Sequence, residues 1–504
     1  MLIRKYIITA FFFLFCAQAT YADLWTTTQT WTPEIEKSYQ DWVRLNSKVD
    51  MFSRQTAPDG TANPYYGLRT DCADTVYTLR IIFSFENGLP WAMKIPWNTK
   101  KILTNEWKKF DSKPEGIIRL RAFLQYAFDI IGTGSLPNDT YPISIKNIVP
   151  GTIIATSHTN HHSWTITNID KFGVPRLFFN SSIGKTSGSL LQQRYAWPNP
   201  YWVFAPDEKK VNPDDPDSEV VKTNVFHSDS YAGYRYWIPY DKMQSDIKTI
   251  ENYSTDQFDL DLKKWTTAPQ AYYALAKEPP QDTITRLLSN TCDDVKQRIG
   301  AVKESDDYKS ALAAAFLNPT DENSMAWINE FNSAKIVPEN NQCLNSDKYD
   351  QYSTPSRDRR LFDGLMLARA YFTETLRLKG SKSISIAKLA QFKKIFTHPE
   401  LSAEAEIASE NKNSGISAQS ICSLNVGTVD GKNITLDLAE IKRRFFKSYV
   451  SPNPNEDLLG RWGGKNHNRG ELAKSCPTYG EEYPPYDLNG AEHKANAEAK
   501  AALE

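Results

Sequence analysis

The chain has 504 residues, 24% of them charged and 12% aromatic, with a formal net charge of −1. That length accommodates two or three domains, each with its own core. The even charge balance lacks the basic surplus that nucleic-acid binding usually needs, so no nucleic-acid partner is expected.

At the N-terminus Arg4-Lys5 precedes an apolar run from Ile7 to Cys16, with small residues following at Ala17, Ala19 and Ala22. This is the pattern of a secretory signal peptide over residues 1–22, cleaved after Ala19 or Ala22. The run is too short for a membrane span, and no later stretch is long and apolar enough to be one. A soluble protein exported to the periplasm or the cell exterior is therefore expected.

Residues from Pro33 to Val49 read as a helix, and Asp59-Gly60 and Asn63-Pro64 as turns leading into Tyr65-Tyr66-Gly67. Cys72 to Glu86 is a predicted helix, capped by Thr70 or Asp71, with Val76, Leu79, Ile82 and Phe83 at helical spacing and Asn87-Gly88 with Pro90 as its stop. A further helix is predicted over Glu115 to Ile131. Strands follow at Ile148 to Ile154, Ser163 to Ile169 and Arg176 to Asn180, the last two joined by a Lys171-Phe172-Gly173 turn. Tyr201 to Phe204 reads as another strand, residues 205–222 as a linker-like loop, and Tyr231 to Tyr240 as a strand returning to the first domain. From there helices dominate: Thr283 to Val302, Ser310 to Phe316, Asp358 to Leu378, Leu436 to Tyr449 and an Ala-rich tail from Ala491. Gly460 to His467 is a Gly-rich basic loop without the Lys-Ser/Thr ending of a phosphate loop. The expected fold class is α+β over residues 23–255, a helix packed on a small antiparallel sheet, followed by a mainly α-helical, disulfide-containing domain over 256–504.

Removal of Cys16 with the leader leaves Cys72, Cys292, Cys343, Cys422 and Cys476. In an oxidising compartment four should pair, in one of three connectivities. Cys292, Cys343, Cys422 and Cys476 share the later domain, so Cys72 is the odd thiol. Its place at a helix start favours the thiolate, the reactive form of cysteine. A proton acceptor is available at His161-His162. On a strand through Ile169, His162, Trp164 and Ile166 share one face while His161, Ser163, Thr165 and Thr167 share the other. If the apolar face meets the Cys72 helix, His162 is the base. Asn180, at the end of the neighbouring strand, is the group expected to orient its ring, with Asp170 a competitor at the turn. His158, His161 and His162 are an alternative zinc set, but no HExxH accompanies them, and no metal or other cofactor is expected.

The segment Pro64-Tyr65-Tyr66-Gly67-Leu68-Arg69-Thr70-Asp71-Cys72-Ala73-Asp74, continuing to Asn87-Gly88-Leu89-Pro90, resembles the papain-like cysteine peptidases of the NlpC type. Pro150-Gly151-Thr152-Ile153-Ile154 resembles their Pro-Gly-Asp strand. The resemblance covers roughly residues 60–185. It implies a papain-like domain with Cys72 as nucleophile, His162 as base and Asn180 as orienting residue. Tyr66 would sit at the oxyanion site with the Cys72 N–H, and Asp71 and Trp164 along the substrate. Ala73-Asp74 departs from the family's Ser-Gly, and the gap from Cys72 to His162 is long. His162-Ser163-Trp164 also resembles the His-Ala-Trp of transglutaminase-like folds. The activity implied is amide hydrolysis through a thioester, and the substrate a peptide, above all the stem peptide of the bacterial cell wall. Two rival readings stand beside it: an acyl-transfer enzyme with the same site, transglutaminase-like or lipid-directed, and a non-catalytic envelope protein that retains the fold. Oligomeric state is not legible.

Overall fold

A computed structural model of the chain describes residues 23–156, 162–180, 191–195, 203, 207–210, 220–223, 232–317, 355–396, 422–429, 432–438, 441 and 488–503. The leader, His158, His161, Cys343, Cys476, most of the Tyr201 to Phe204 segment and the Gly460 to His467 loop lie outside these residues.

The first helix, α1 (Pro33–Asn46), starts at Thr32, whose side chain caps Ile35 N–H with Pro33 in the first turn. The second, α2 (Cys72–Glu86), begins and ends where the sequence predicts. Asp71 is its cap: the Asp71 carboxylate accepts from Asp74 N–H at 2.9 Å, and the Asp74 carboxylate accepts from Asp71 N–H at 3.0 Å. This reciprocal pair satisfies two backbone donors that a helix start would otherwise leave open. At the other end Gly88 has φ +57°, and a Cβ there would collide with the Thr28 hydroxyl. The close approach lets the Gly88 carbonyl accept from both Thr28 and Gln29 N–H, tying the N-terminal segment to the helix end. Every residue of α2 from Cys72 to Ser84 is buried. A helix apolar on nearly all sides must be covered on all sides, and α2 is the centre of the first core.

Next come a hairpin, β1 (Ala92–Ile95) with β2 (Asn98–Thr104), and the helices α3 (Ile117–Ile130) and α4 (Leu136–Asp139). The main sheet consists of β3 (Thr140–Pro142), β4 (Ile153–Ala155), β5 (Ser163–Ile169), β6 (Pro175–Asn180), β7 (Leu191–Arg194) and β10 (Gly233–Trp237). Between the last two in sequence, β8 (Asp207–Lys210) and β9 (Val220–Thr223) pair with each other, so the stretch predicted as a linker contains a hairpin. The sheet is antiparallel throughout, in the order β3-β10-β4-β5-β6-β7. The returning strand thus enters the interior of the sheet, between β3 and β4.

Both faces of the sheet are buried. Ile153, Phe178, Leu191 and Trp237 look toward α2 and join its core. Ile154, Trp164, Leu177, Phe179 and Tyr234 look the other way, into a second cluster that includes Trp265. Trp265 belongs to α5 (Leu262–Tyr273) and stacks on Tyr234 with ring centroids 4.5 Å apart. Gln257, fully buried, donates to the Ile143 and Tyr234 carbonyls and accepts from Tyr234 N–H. The first core therefore runs through Tyr273, beyond the expected boundary at residue 255.

The remaining elements are α6 (Pro280–Leu317), α7 (Pro355–Lys379), α8 (Ile386–Phe396), the hairpin β11 (Ser423–Val429) with β12 (Lys432–Asp437), and α9 (Leu488–Leu503). One continuous α6 covers the two helices predicted over residues 283–316. Leu436, predicted to start a helix, lies in β12. These elements share a separate core around Leu288, Val295, Phe372 and Phe392. Cys292 and Cys422 form a disulfide within it. The chain is thus mixed helix and small antiparallel sheets with one disulfide pair among the described residues, and none of its described helices is long and apolar enough to cross a membrane.

Candidate active site

Cys72 is the first residue of α2, buried where the helix start meets β5 and the turn after α3. It takes part in no disulfide. Its sulfur lies 3.2 Å from the Thr133 hydroxyl. Thr133 opens a short 3-10 turn, Thr133–Ser135, made rigid by Ser135: the Ser135 hydroxyl donates to the Gly132 carbonyl and accepts from Gly132 N–H. Sequence reading missed Thr133. The Gly132-Thr133-Gly134-Ser135 stretch reads as a helix stop, and nothing local says that its hydroxyl meets a cysteine sixty-one residues earlier.

Further hydroxyls lie on residues flanking Cys72 in sequence and on β5. Thr70 and Thr75 share a hydrogen bond at 2.9 Å, and Thr75 donates to the Asp71 carbonyl. From the sheet come Ser163 and Thr165, both buried, with Ser163 close enough for its hydroxyl and backbone to favour the Cys72 thiolate. A buried structural cysteine normally sits among apolar side chains. This one has the hydroxyls of Thr133 and Ser163 beside its sulfur.

Even so, the thiol is pushed up to about 11, first by burial and then by the neighbouring Asp71 carboxylate; the Thr133 and Ser163 contacts oppose this without overcoming it. Asp71 is itself raised by burial, and the N–H groups of Asp74 and Ala73 pull it back. The expected gain from the helix start is therefore outweighed in this geometry, and ionisation of Cys72 at neutral pH needs a proton acceptor.

The expected partners are distributed differently from the sequence reading. Ser163 is the β5 side chain at Cys72, and strand alternation turns His162 to the opposite face. There the His162 ring packs edge-on against Trp164, centroids 4.4 Å apart, and against Phe179 at 5.7 Å. The expectation failed at one assumption, that the apolar face of β5 meets the helix. With both faces buried, the apolar side meets Trp265 and the hydroxyl side meets α2. Trp164 goes with His162 and so does not line the Cys72 side. Asn180 is on the Cys72 face, across from Ser163, fully buried. Its amide donates to the Thr70 carbonyl at 2.6 Å and the Thr70 hydroxyl at 3.1 Å. It steadies the approach to α2 instead of orienting His162. Tyr66 is exposed, and its hydroxyl accepts from Gln55. Asp170 organises the β5–β6 turn by accepting from Phe172 and Val174 N–H. Among the described residues no group of three His, Cys, Asp or Glu side chains is placed to hold a metal.

No family model matches the chain, and no curated protein or solved structure matches it either.

Proposed function

We propose that the protein is an exported cysteine hydrolase that cleaves amide bonds in peptides, with the stem peptides of the cell wall as the substrate class. The observation that carries this reading is the setting of Cys72: a thiol outside any disulfide, at the first position of a capped helix, with the Thr133 and Ser163 hydroxyls at its sulfur. The resemblance of the segments around Cys72 and Pro150 to NlpC-type peptidases supports the same chemistry and supplies the substrate class. The Cys292–Cys422 disulfide supports an oxidising compartment.

In the proposed reaction a base takes the Cys72 proton and the thiolate attacks the amide carbonyl. The base then protonates the leaving amine, and water hydrolyses the thioester. The Cys72 backbone N–H at the start of α2 is the donor proposed for the tetrahedral oxygen. The base we assign is His161. It lies outside the described residues and is chosen as the histidine adjacent in sequence to His162, whose own ring packs on Trp164 and Phe179.

Incubation of the purified protein with isolated cell wall, read by mass spectrometry of the released muropeptides, tests this. Wild-type protein should release products, Cys72→Ala none, and His161→Ala at least about 100-fold less than His162→Ala. Release by Cys72→Ala overturns the reading. Equal loss in the two histidine variants overturns the choice of base. Products carrying an added amine acceptor would mark acyl transfer in place of hydrolysis.

A further inference from the structure

We propose that Thr133 and Ser163 are the positioning residues of Cys72: their two hydroxyls, one from the turn after α3 and one from β5, hold the sulfur and donate to it when it ionises. The proposal rests on the hydrolase reading for its purpose, but its geometry stands independently.

Thr133 Oγ1 lies 3.2 Å from Cys72 Sγ, within reach of a hydrogen bond to sulfur. The hydroxyl is delivered by a turn that the Ser135 side chain locks onto the Gly132 backbone, which fixes where the Thr133 backbone sits. Ser163 is fully buried beside the sulfur, and among the described residues its Oγ makes no hydrogen bond of normal geometry. A buried hydroxyl without a partner is costly, and proteins seldom keep one without a use.

Sulfur chemistry gives it one. A neutral thiol is a weak acceptor, so neither hydroxyl gains much from it. A thiolate is a full negative charge, and hydrogen bonds to charged groups are roughly twice as strong as neutral ones. Two hydroxyl donors therefore stabilise the anion selectively over the thiol. They also fix the direction of its lone pairs. Thr70 and Thr75 serve a different purpose, since they bond to each other and to the backbone.

The test is the rate of iodoacetamide alkylation of Cys72 as a function of pH, read on the Cys72 peptide by mass spectrometry so that other thiols do not contribute. Thr133→Val keeps the shape of the side chain and removes the donor. It should displace the rate profile upward by about one pH unit, about tenfold slower alkylation at a given pH, with an unchanged melting temperature. Ser163→Ala should act in the same direction, and Thr133→Ser should restore the wild-type profile. Alkylation of Thr133→Val at the wild-type rate or faster overturns the proposal, as does failure of Thr133→Ser to restore it. Because alkylation needs no substrate, a wild-type protein that cleaves no cell wall would sink the hydrolase reading and leave this result standing.

Discussion

Cys72 is held between opposing influences. Burial and the Asp71 carboxylate disfavour its anion, while the Thr133 and Ser163 hydroxyls favour it. Asp71 does two things at once, capping α2 and raising the neighbouring thiol, and the two can be separated. Asparagine caps a helix about as well as aspartate, and its side-chain oxygen can still accept from Asp74 N–H. Asp71→Asn should therefore speed Cys72 alkylation severalfold near pH 8, with a stability change below about 1 kcal/mol in denaturant titration. At this scale the sequence was informative about Cys72, its helix start and its cap. It was misleading about His162. Alternation along β5 was legible in the sequence, but which face meets α2 is a property of the packing partners. Trp265, which claims the apolar face, comes a hundred residues later.

Asp139 joins several elements. It ends α4 and is fully buried; one carboxylate oxygen accepts from Tyr77 of α2 and the other from Lys94 N–H of β1, both at 2.6 Å. Its carbonyl accepts from Ile238 N–H just past β10. Burial pushes its carboxyl up to about 7, against the pull of the Tyr77 and Lys94 contacts. The folded state thus keeps this proton where the unfolded chain, near 3.8, has lost it. Stability from this group is greatest below about 4, falls as pH rises toward 7 and is level above, a change on the order of 4 kcal/mol. Asp139→Asn should flatten that slope when urea unfolding is compared at pH 5 and pH 8, because an amide can accept from Lys94 N–H and donate to Tyr77 without ionising. The elements missing from the sequence reading have two different causes. The hairpins β1–β2 and β8–β9 lack a strong Asn-Gly type turn, and β8 is Asp-Glu-Lys-Lys, a charged run that composition assigns to a linker. The hairpin β11–β12 does carry Asp430-Gly431 between Val429 and Lys432, a hairpin signal that was legible and passed over. By contrast α1, α2 and α7 carry clear caps or long periodic faces, and their bounds were legible to within a few residues.

Among the described residues the sheet-centred part of the chain meets the later helical part where β7 meets α6: Asn290 exchanges hydrogen bonds with the backbone of Tyr195, and Arg194 pairs with Asp294 at 3.5 Å. The Cys292–Cys422 bridge spans 130 residues and ties α6 to the residue just before β11, inside the cluster around Leu288 and Phe372. Sequence could count the cysteines but could not choose among connectivities, since pairing depends on which helices meet. Replacing both with alanine should lower the stability of the second unit by about 2–5 kcal/mol, seen as a shift of one thermal transition, with Cys72 alkylation unchanged. Other consequences follow from β10. Its segment is wedged between two strands translated long before it, so a nascent polypeptide leaving the ribosome cannot zip its main sheet shut until residues 233–237 have emerged. Until then α2 lacks the Trp237 ring that packs on its Tyr77, and any fragment that stops short of β10 should be an aggregation hazard with two unsealed strand edges.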